Sequence, residues 1–500
     1  MILLYALIAL LLLVLICMGI ELYQLLSSNA KCINQLPGPK DYFIIGNLKD
    51  ILVPTDVLFK NFRRFAKEYF PLYRIWSSHL YGGICVIGPD DMQTILSNVK
   101  HNDKGPVYLV LQEWLGEGLL RSTGEKWLMR RKILTPTFHF KILKQFIAIF
   151  NKHSKHFAED INTDGEINII PHIHKCSLHM IAEAAMGTCL RDSEGESRYG
   201  KAIHDMGSFI MYKLMRPWLY VYFMKFFTKN YLPEKRALAY LKTFTKNIID
   251  EREKDKVPVN VENDEDIYLN KKHHLAMLDL LLQAKDDQKI SYDGIREEVD
   301  TFMFEGHDTI SMAMTFCCML LACNKHVQDQ IYEEIMSVLG ESKECDYEDL
   351  QNLNYMEMAI KESLRIYPSV PLISRIAGED INTSTGFIIP KGTVLLLHIY
   401  DTHHNPDLYP DPERYDPERF SVENSKNRHP YAYLPFSAGS RNCIGQKYAM
   451  LSMKSMLVSL LRKFELHPID TPETIKLFVD IVLRTKEGIK IKLKRRDKMM

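Results

Sequence analysis

The pattern of apolar and polar positions divides the chain into an apolar leader and a long mixed body. Residues Met1 to Ile20 carry no charged side chain, and Glu21 ends the run. A helix of that length spans about 30 Å, the thickness of a bilayer core. Ser28-Asn29-Ala30 would serve as a signal cleavage site, but the run is too long for a usual signal core and lacks a basic start. It therefore predicts an uncleaved anchor. Lys31, Lys40 and Lys49 all follow the span, which places the body on the cytosolic side. Leu36-Pro37-Gly38-Pro39 is a stiff punctuator between leader and body.

The body reads as mostly helix with a few strands. Tyr73-Arg74-Ile75-Trp76 and Ile84-Cys85-Val86-Ile87 flank Gly82-Gly83 and predict a hairpin. Phe387-Ile388-Ile389 and Thr393 to Leu397 flank Pro390-Lys391-Gly392 and predict a second. Ile489, Ile491 and Leu493 alternate with Lys490, Lys492 and Lys494, the pattern of an edge strand with its lysines outward. Asp293 to Leu339 is a long helical stretch, and Gln446 to Leu461 is another. Glu251 to His274 is charged without apolar periodicity and reads as a solvated loop. No internal repeat is visible.

Composition sharpens this picture. The 500 residues are 46% hydrophobic, enough for a large core, and a length of this order allows about three domains. Lys+Arg and Asp+Glu are equal at 63 each, so the basic excess of a nucleic-acid binder is absent. The ten cysteines are scattered and form no CxxC pair, which fits a reducing compartment better than a disulfide framework or a zinc ribbon.

The most specific chemistry lies in Phe436-Ser437-Ala438-Gly439-Ser440-Arg441-Asn442-Cys443-Ile444-Gly445. A metal-binding thiolate needs a positive field to lose its proton. The helix predicted just after Cys443 offers its N-terminal dipole. Gly439 and Gly445 allow a tight backbone, Phe436 can screen the sulfur, and Arg441 can pair with a carboxylate of a bound group. The bland alternative is an inert buried cysteine.

This loop resembles the haem-binding signature of the cytochrome P-450 superfamily, F-x-x-G-x-R-x-C-x-G. Further matches follow one another along nearly the whole chain from Leu36. Trp127 to Arg131 resembles W-x-x-x-R, Glu362-Ser363-Leu364-Arg365 resembles E-x-x-R, and Pro417-Glu418-Arg419-Phe420 resembles P-E-R-F. The resemblance implies a mainly α fold with small β-sheets, the cytochrome P-450 fold, preceded by a transmembrane helix. It overrides the three-domain expectation. The chain then divides into a signal-anchor at 1–20, a linker with the Pro-Gly-Pro hinge at 21–40, and one haem domain at 41–500. It also implies that Cys443 is the iron ligand and that Trp127, Arg131, Arg375 and Arg441 contact haem propionates. Glu362, Arg365 and Arg419 are expected to form a buried charge network.

Glu305-Gly306-His307-Asp308-Thr309 lies within the long helical stretch and places an acid beside an alcohol. Glycine there costs about 1 kcal/mol against alanine, which a helix accepts when something must approach its backbone. The resemblance assigns Asp308 and Thr309 to proton delivery. Glu297 to Thr309 resembles family 4 of the superfamily, whose members hydroxylate fatty acids and related lipids at or near the chain end. Leu134 to Phe140 and Glu183 to Gly187 fit the same group. Ile310, Ser440, His179, Ala182 and Ala184 depart from its usual pattern, which loosens the substrate assignment.

The expected cofactor is haem b, iron protoporphyrin IX, and in family 4 the glutamate at position 305 often forms an ester with a haem methyl group. The expected reaction is monooxygenation of a lipophilic substrate by O2, with electrons from NADPH. No NADPH fingerprint is present in this chain, so electrons must come from a partner, and the resemblance implies the NADPH–cytochrome P-450 reductase of the endoplasmic reticulum membrane, with cytochrome b5 as a second donor. Other readings are oxidation of hormones, hydrocarbons or xenobiotics by the same chemistry, a reductase-independent haem-thiolate isomerase, and a non-catalytic haem carrier or sensor. Intact Asp308 and Thr309 argue against the last two.

Overall fold

The computed structural model describes residues 1–42, 45–78, 81–161, 163–190, 195–220, 224–254, 276–341 and 343–496. Helices dominate, and the strands form small sheets of two to four strands. The chain gathers into two compact units built from interleaved segments. Met1–Leu109, Pro371–Pro410 and His429–Asn442 form the first, and Val110–Val370, Asp411–Arg428 and Cys443–Met500 form the second.

In the first unit, the apolar leader forms the helix Ile2–Leu26, which runs six residues past the end of its uncharged run at Ile20. A short helix, Ser28–Asn34, follows at once, with the Ser27 hydroxyl accepting the Ala30 N–H. The expected linker is therefore largely helical. Its hinge is also pinned in place. The Arg74 N–H donates to the Pro37 carbonyl at 2.9 Å, and a Cβ on Gly38 would lie 2.5 Å from the Arg74 carbonyl oxygen.

The four-stranded sheet of this unit runs Leu72–Ser78, Tyr81–Val86, Val394–Leu397, Ile373–Ile376. The first predicted hairpin is present and antiparallel, but Gly82 and Gly83 sit inside its second strand, opposite Trp76 and Ile75. A Cβ on Gly82 would come within 2.3 Å of the Trp76 ring, so this glycine makes room for an indole and not for a turn. The connection at 79–80 lies outside the described residues. The second predicted hairpin does not form. Ile388–Ile389 pairs with Ile381–Asn382, whereas Val394–Leu397 runs parallel to Tyr81–Val86 and antiparallel to Ile373–Ile376. A run of four apolar residues suits a central strand; Leu395 and Leu397 on one face are fully buried, and Val394 and Leu396 on the other are half-buried.

The second unit is organised on the helix Tyr292–Cys323. It starts at Ser291, whose hydroxyl accepts the Gly294 N–H, and ends at Asn324, where the backbone leaves helical space. The predicted stretch to Leu339 is thus two helices, the second being Lys325–Leu339. Tyr292–Cys323 is long and apolar enough to cross a membrane, yet 83% of its apolar window is buried within the protein. It is a core helix.

The lysine-bearing strand Lys490–Arg495 lies between Glu166–Asn168 and Phe464–Pro468, so the expected edge strand is the central one. Ile491 and Leu493 face the core, and Lys490, Lys492 and Lys494 are exposed. The alternation marks a solvated face, which a central antiparallel strand can have as readily as an edge. Of the charged segment Glu251 to His274, the first residues end the helix Tyr231–Lys254, and 255–274 lie outside the described residues.

One buried ion pair ties the second unit together. Glu362 and Arg365, three apart on the helix Asn354–Ile366, are both fully buried. Arg365 Nε donates to Glu362 Oε2 at 2.7 Å and Nη2 to Oε1 at 2.8 Å. Nη2 also reaches the carbonyl of Pro412 at 2.7 Å, and the Asp416 N–H reaches Glu362 at 3.1 Å. Arg419 Nε stands 3.4 Å from the same carboxylate. The expected three-member network is present, and it staples the helix to the irregular segment 411–419.

Removing one partner strands the other without water. Glu362→Ala is expected to cost about 3–5 kcal/mol of stability, with a smaller loss for Arg419→Ala, whose side chain is 12% exposed. Urea unfolding of the full chain, followed by tryptophan fluorescence, checks both. Equal losses would mean that burial does not set the cost.

Candidate active site

Cys443 lies where the cysteine loop enters the helix Gln446–Lys463. Ser437 and Gly439 both have left-handed backbones, with φ of 58° and 70°. A Cβ on Gly439 would sit 1.8 Å from the Leu96 carbonyl oxygen, so glycine is required there. Gly445 is different. Its φ is −88°, and a Cβ would meet the Phe138 ring at 3.8 Å and the Cys443 sulfur at 3.9 Å, ordinary contact distances. Only the first of the two expected glycine roles holds.

Cys443 presents exposed surface, yet burial pushes its thiol up to about 11, and the charge of Glu305 adds to the rise. Both facts hold for a sulfur lining a recess walled by protein. The Gly445 N–H and Arg131 pull the other way and do not win. A coordinated metal cation removes the proton outright, so the donor fits a metal-bound thiolate better than a free one. Arg131 lies on the helix Gly124–Leu134, one turn after the buried Trp127. Burial lowers its basicity, and the Cys443 charge opposes that fall.

The middle of the core helix opens on one side. Among its buried residues, Glu305, Gly306 and Thr309 are only half-buried, a stripe at i, i+1 and i+4. Glu305 and Thr309 thus share a face, as their spacing predicts. Thr309 Oγ1 donates back to the Glu305 carbonyl at 2.8 Å, and the Ser369 hydroxyl donates to the Thr309 carbonyl at 2.8 Å. Gly306 does not leave its backbone bare. A Cβ there would lie 2.6 Å from Ile181 Cδ1, so the glycine lets the helix Ile170–Met186 pack close.

Asp308 is fully buried beside this stripe. Arg484 Nη2 donates to its Oδ2 at 2.6 Å, while Arg484 Nε donates to Asp480 at 2.7 Å. Burial alone would raise the Asp308 pKa, but Arg484 overrides it and holds the carboxyl below its ordinary value. His174 and His307 complete the cluster, ring to ring at 4.8 Å. Burial pushes them down to about 4 and about 3, so both are neutral at neutral pH. Acid and alcohol are adjacent in sequence, but only the alcohol sits on the half-open stripe. Arg484, Asp480, His174 and Ser369 were not legible as site residues. Arg484 is 176 positions from Asp308, and no local pattern signals such a pair.

The other expected site residues belong to the first unit. Arg375 is almost fully buried, with Nη1 donating to the Ser374 carbonyl at 3.0 Å. Tyr108 stands beside it, but Nη2 meets no hydrogen-bond partner among the described residues. A buried, half-satisfied guanidinium fits an anionic group such as a haem propionate. Arg441 Nε donates to the Asn102 carbonyl at 3.1 Å, and the Ile376 N–H donates to the next carbonyl, Asp103, at 3.0 Å. The chain at 102–103 therefore fastens both arginine-bearing segments. Phe436 is half-buried in the same unit.

The neutral buried histidines generate a pH prediction. Their folded pKa values lie below the unfolded value of 6.5. Below pH 6.5 the unfolded chain binds protons that the folded chain refuses, so stability falls as pH drops toward about 4. Each histidine contributes a slope of about 1.4 kcal/mol per pH unit in that window. His307→Gln should remove one such share, measured from urea midpoints between pH 6.5 and 4.5. An unchanged slope would show that His307 is protonated in the fold.

The sequence matches the Cytochrome P450 family model over residues 36–493. It is 38% identical over 487 residues to Cytochrome P450 4c3 of Drosophila melanogaster, covering 93% of this chain and 90% of that protein. It is 40% identical over 479 residues to Cytochrome P450 4d2 of the same fly, covering 92% and 94%. Against Cytochrome P450 4V2 of Homo sapiens it is 39% identical over 454 residues, covering 88% and 85%. With Cys443 in its recess and these matches over most of its length, the chain belongs to the cytochrome P450 family of haem-thiolate monooxygenases.

Proposed function

We propose that this enzyme hydroxylates a lipophilic, fatty-acid-like substrate at or near the chain end, using O2 and electrons from NADPH. The observation that supports the reading is that the charges of Arg131 and Glu305 both act on the Cys443 thiol, while Glu305 and Thr309 share the half-open face of the core helix. Bound through Cys443, haem iron supplies oxygen activation. The protein side of the work falls to named groups. By the family resemblance Trp127, Arg131, Arg375 and Arg441 would hold the porphyrin carboxylates, and Phe436 would screen the sulfur from water. Thr309 offers a hydroxyl proton on the half-open stripe, its oxygen oriented by the bond to the Glu305 carbonyl. Asp308 restores that proton. To do so it must pick up a proton from the far side, which requires loosening its bond to Arg484.

Glu305 is read as the attachment point for haem. An ester would replace a porphyrin methyl C–H bond with a C–O bond to the carboxylate, and the two electrons would leave through the enzyme's own oxygen turnover. Attachment fixes the porphyrin against the helix. A terminal C–H bond is stronger than its in-chain neighbours, so chain-end attack needs a rigid approach that presents only the methyl group.

The same proposal places the enzyme on the endoplasmic reticulum membrane, its body in the cytosol. The helix Ile2–Leu26 is 25 residues long, about 37 Å at the helical rise. Leu4, Leu7, Leu11, Leu15 and Leu22 are among its exposed side chains. The partners are the NADPH–cytochrome P-450 reductase and cytochrome b5.

Cys443→Ser should abolish the red-shifted Soret band of the reduced carbon monoxide complex. An unchanged band would remove Cys443 as ligand. Thr309→Ala should keep that band but lower product formed per NADPH by about tenfold or more, diverting electrons to peroxide. Unaltered coupling would sink the relay. After turnover with reductase and fatty acid, denaturing chromatography should show haem absorbance with the polypeptide, lost in Glu305→Ala. Wholly free haem from the native sequence would exclude the ester.

A further inference from the structure

The strands Leu477–Val479 and Leu483–Thr485 pair antiparallel, and the turn between them carries Asp480. The Val482 N–H donates to Asp480 Oδ1 at 3.0 Å, and the Asp480 N–H donates to the Val482 carbonyl at 3.2 Å. The carboxylate is therefore fixed by its own turn. Its other oxygen, Oδ2, accepts Arg484 Nε at 2.7 Å. The helix Gly195–Leu214 makes room for this group at Gly207, where a Cβ would lie 2.8 Å from Oδ2. Asp308 needs only Nη2 of Arg484, so the second carboxylate calls for a reason of its own.

Charge supplies one. The side chains of Asp308, Asp480 and Arg484 are 0%, 2% and 6% exposed. Two carboxylates on one guanidinium leave one negative charge in excess. His174 and His307 face the cluster, each with a ring nitrogen within 4.8 Å of the Asp308 carboxylate. Burial keeps both neutral, and His204 lowers His174 further. An unbalanced charge away from water is costly. Burial and the Asp308 charge push the Asp480 carboxyl up, and that repulsion acts equally on Asp308. The pair as a whole therefore favours taking up one proton.

Hydrogen bonding decides where that proton sits. Both oxygens of Asp480 accept N–H donors, which favour its ionised form. Asp308 is different. Its Oδ2 accepts Arg484, while Oδ1 is buried with no hydrogen-bond partner among the described residues. A proton on Oδ1 cancels the excess charge. It also leaves Arg484 paired, because Asp480 still holds Nε. Without Asp480 the same proton would strand a buried guanidinium.

We propose that Asp480 is a positioning residue for proton delivery. It shares Arg484 with Asp308, so Asp308 takes a proton on Oδ1 and gives it up again while the guanidinium stays paired. On uptake the triad passes from one net negative charge to none, and on donation it returns. The inference rests on the reading of Asp308 as the proton donor behind Thr309.

The sharing is read without turnover, from urea unfolding of the haem-loaded full chain. Asp308→Asn and Asp480→Asn each leave Arg484 one carboxylate, and the double variant leaves it none. The double variant should lower the folding equilibrium constant about tenfold or more beyond the product of the two single effects. A double variant that binds no haem while both single variants do is the same excess. Single effects that simply multiply overturn the sharing. The positioning role is read in turnover with reductase and fatty acid. Asp480→Asn should lower product per NADPH by about fivefold or more and raise the solvent deuterium isotope effect on product formation, because Asp308 alone then holds Arg484. Asp480→Glu, which keeps the charge, should recover most of the coupling. Uncoupling with an unchanged isotope effect and no recovery in Asp480→Glu marks a merely structural role and overturns the proposal. Normal coupling in Asp480→Asn does the same, while uncoupling by Asp308→Asn keeps the relay itself standing. If Asp308→Asn and Thr309→Ala also couple normally, the relay is wrong and this inference falls with it.

Discussion

The ion pair between Asp308 and Arg484 joins the middle of the core helix to the strand Leu483–Thr485 near the end of the chain. A helix buried almost all round has little in its apolar pattern to choose one rotation over another. A carboxylate that is 0% exposed makes the choice, because it must face its guanidinium. Once Asp308 is fixed, the helical period fixes the rest. Glu305 and Thr309 fall on the half-open stripe, and Gly306 falls against Ile181. Ser369 reinforces the setting by bonding to the Thr309 carbonyl through its hydroxyl and to the Leu483 N–H through its carbonyl.

The same rule governs the other buried charges. Glu362 takes the Nε–Nη2 edge of Arg365 with both carboxylate oxygens, and Nη2 also fastens the chain at Pro412. Glu298 accepts the Leu119 N–H at 3.0 Å near the Arg130 guanidinium, and burial still lifts it to about 7. These groups do not make the fold more stable than an apolar core would. They make alternative packings costly, and so they specify where chemistry-bearing side chains stand.

At Cys443 the balance runs the other way. Burial and the Glu305 charge outweigh one backbone N–H and Arg131, so the protein alone keeps the thiol protonated. The loop before it is conformationally restricted by two left-handed residues, Ser437 and Gly439. It presents the Cys443 sulfur at the start of the helix Gln446–Lys463.

The sequence by itself determined what depends on short range. The uncharged leader formed a helix, the i, i+3 spacing brought Glu362 to Arg365, and the i, i+4 spacing put Glu305 and Thr309 on one face. The cysteine loop and the motif order identified the family, because those residues lie within a few positions of one another in each motif. Tertiary structure decided the partners. The strand Val394–Leu397 joined the sheet of Tyr81–Val86 and not its sequence neighbour, and Lys490–Arg495 became central because two distant strands flanked it. Gly306 proved to serve helix packing, and Asp308 proved to be clamped by an arginine 176 positions away. Backbone period and local charge are properties of consecutive residues. Which buried group meets which is settled only when distant segments exclude water from the same place.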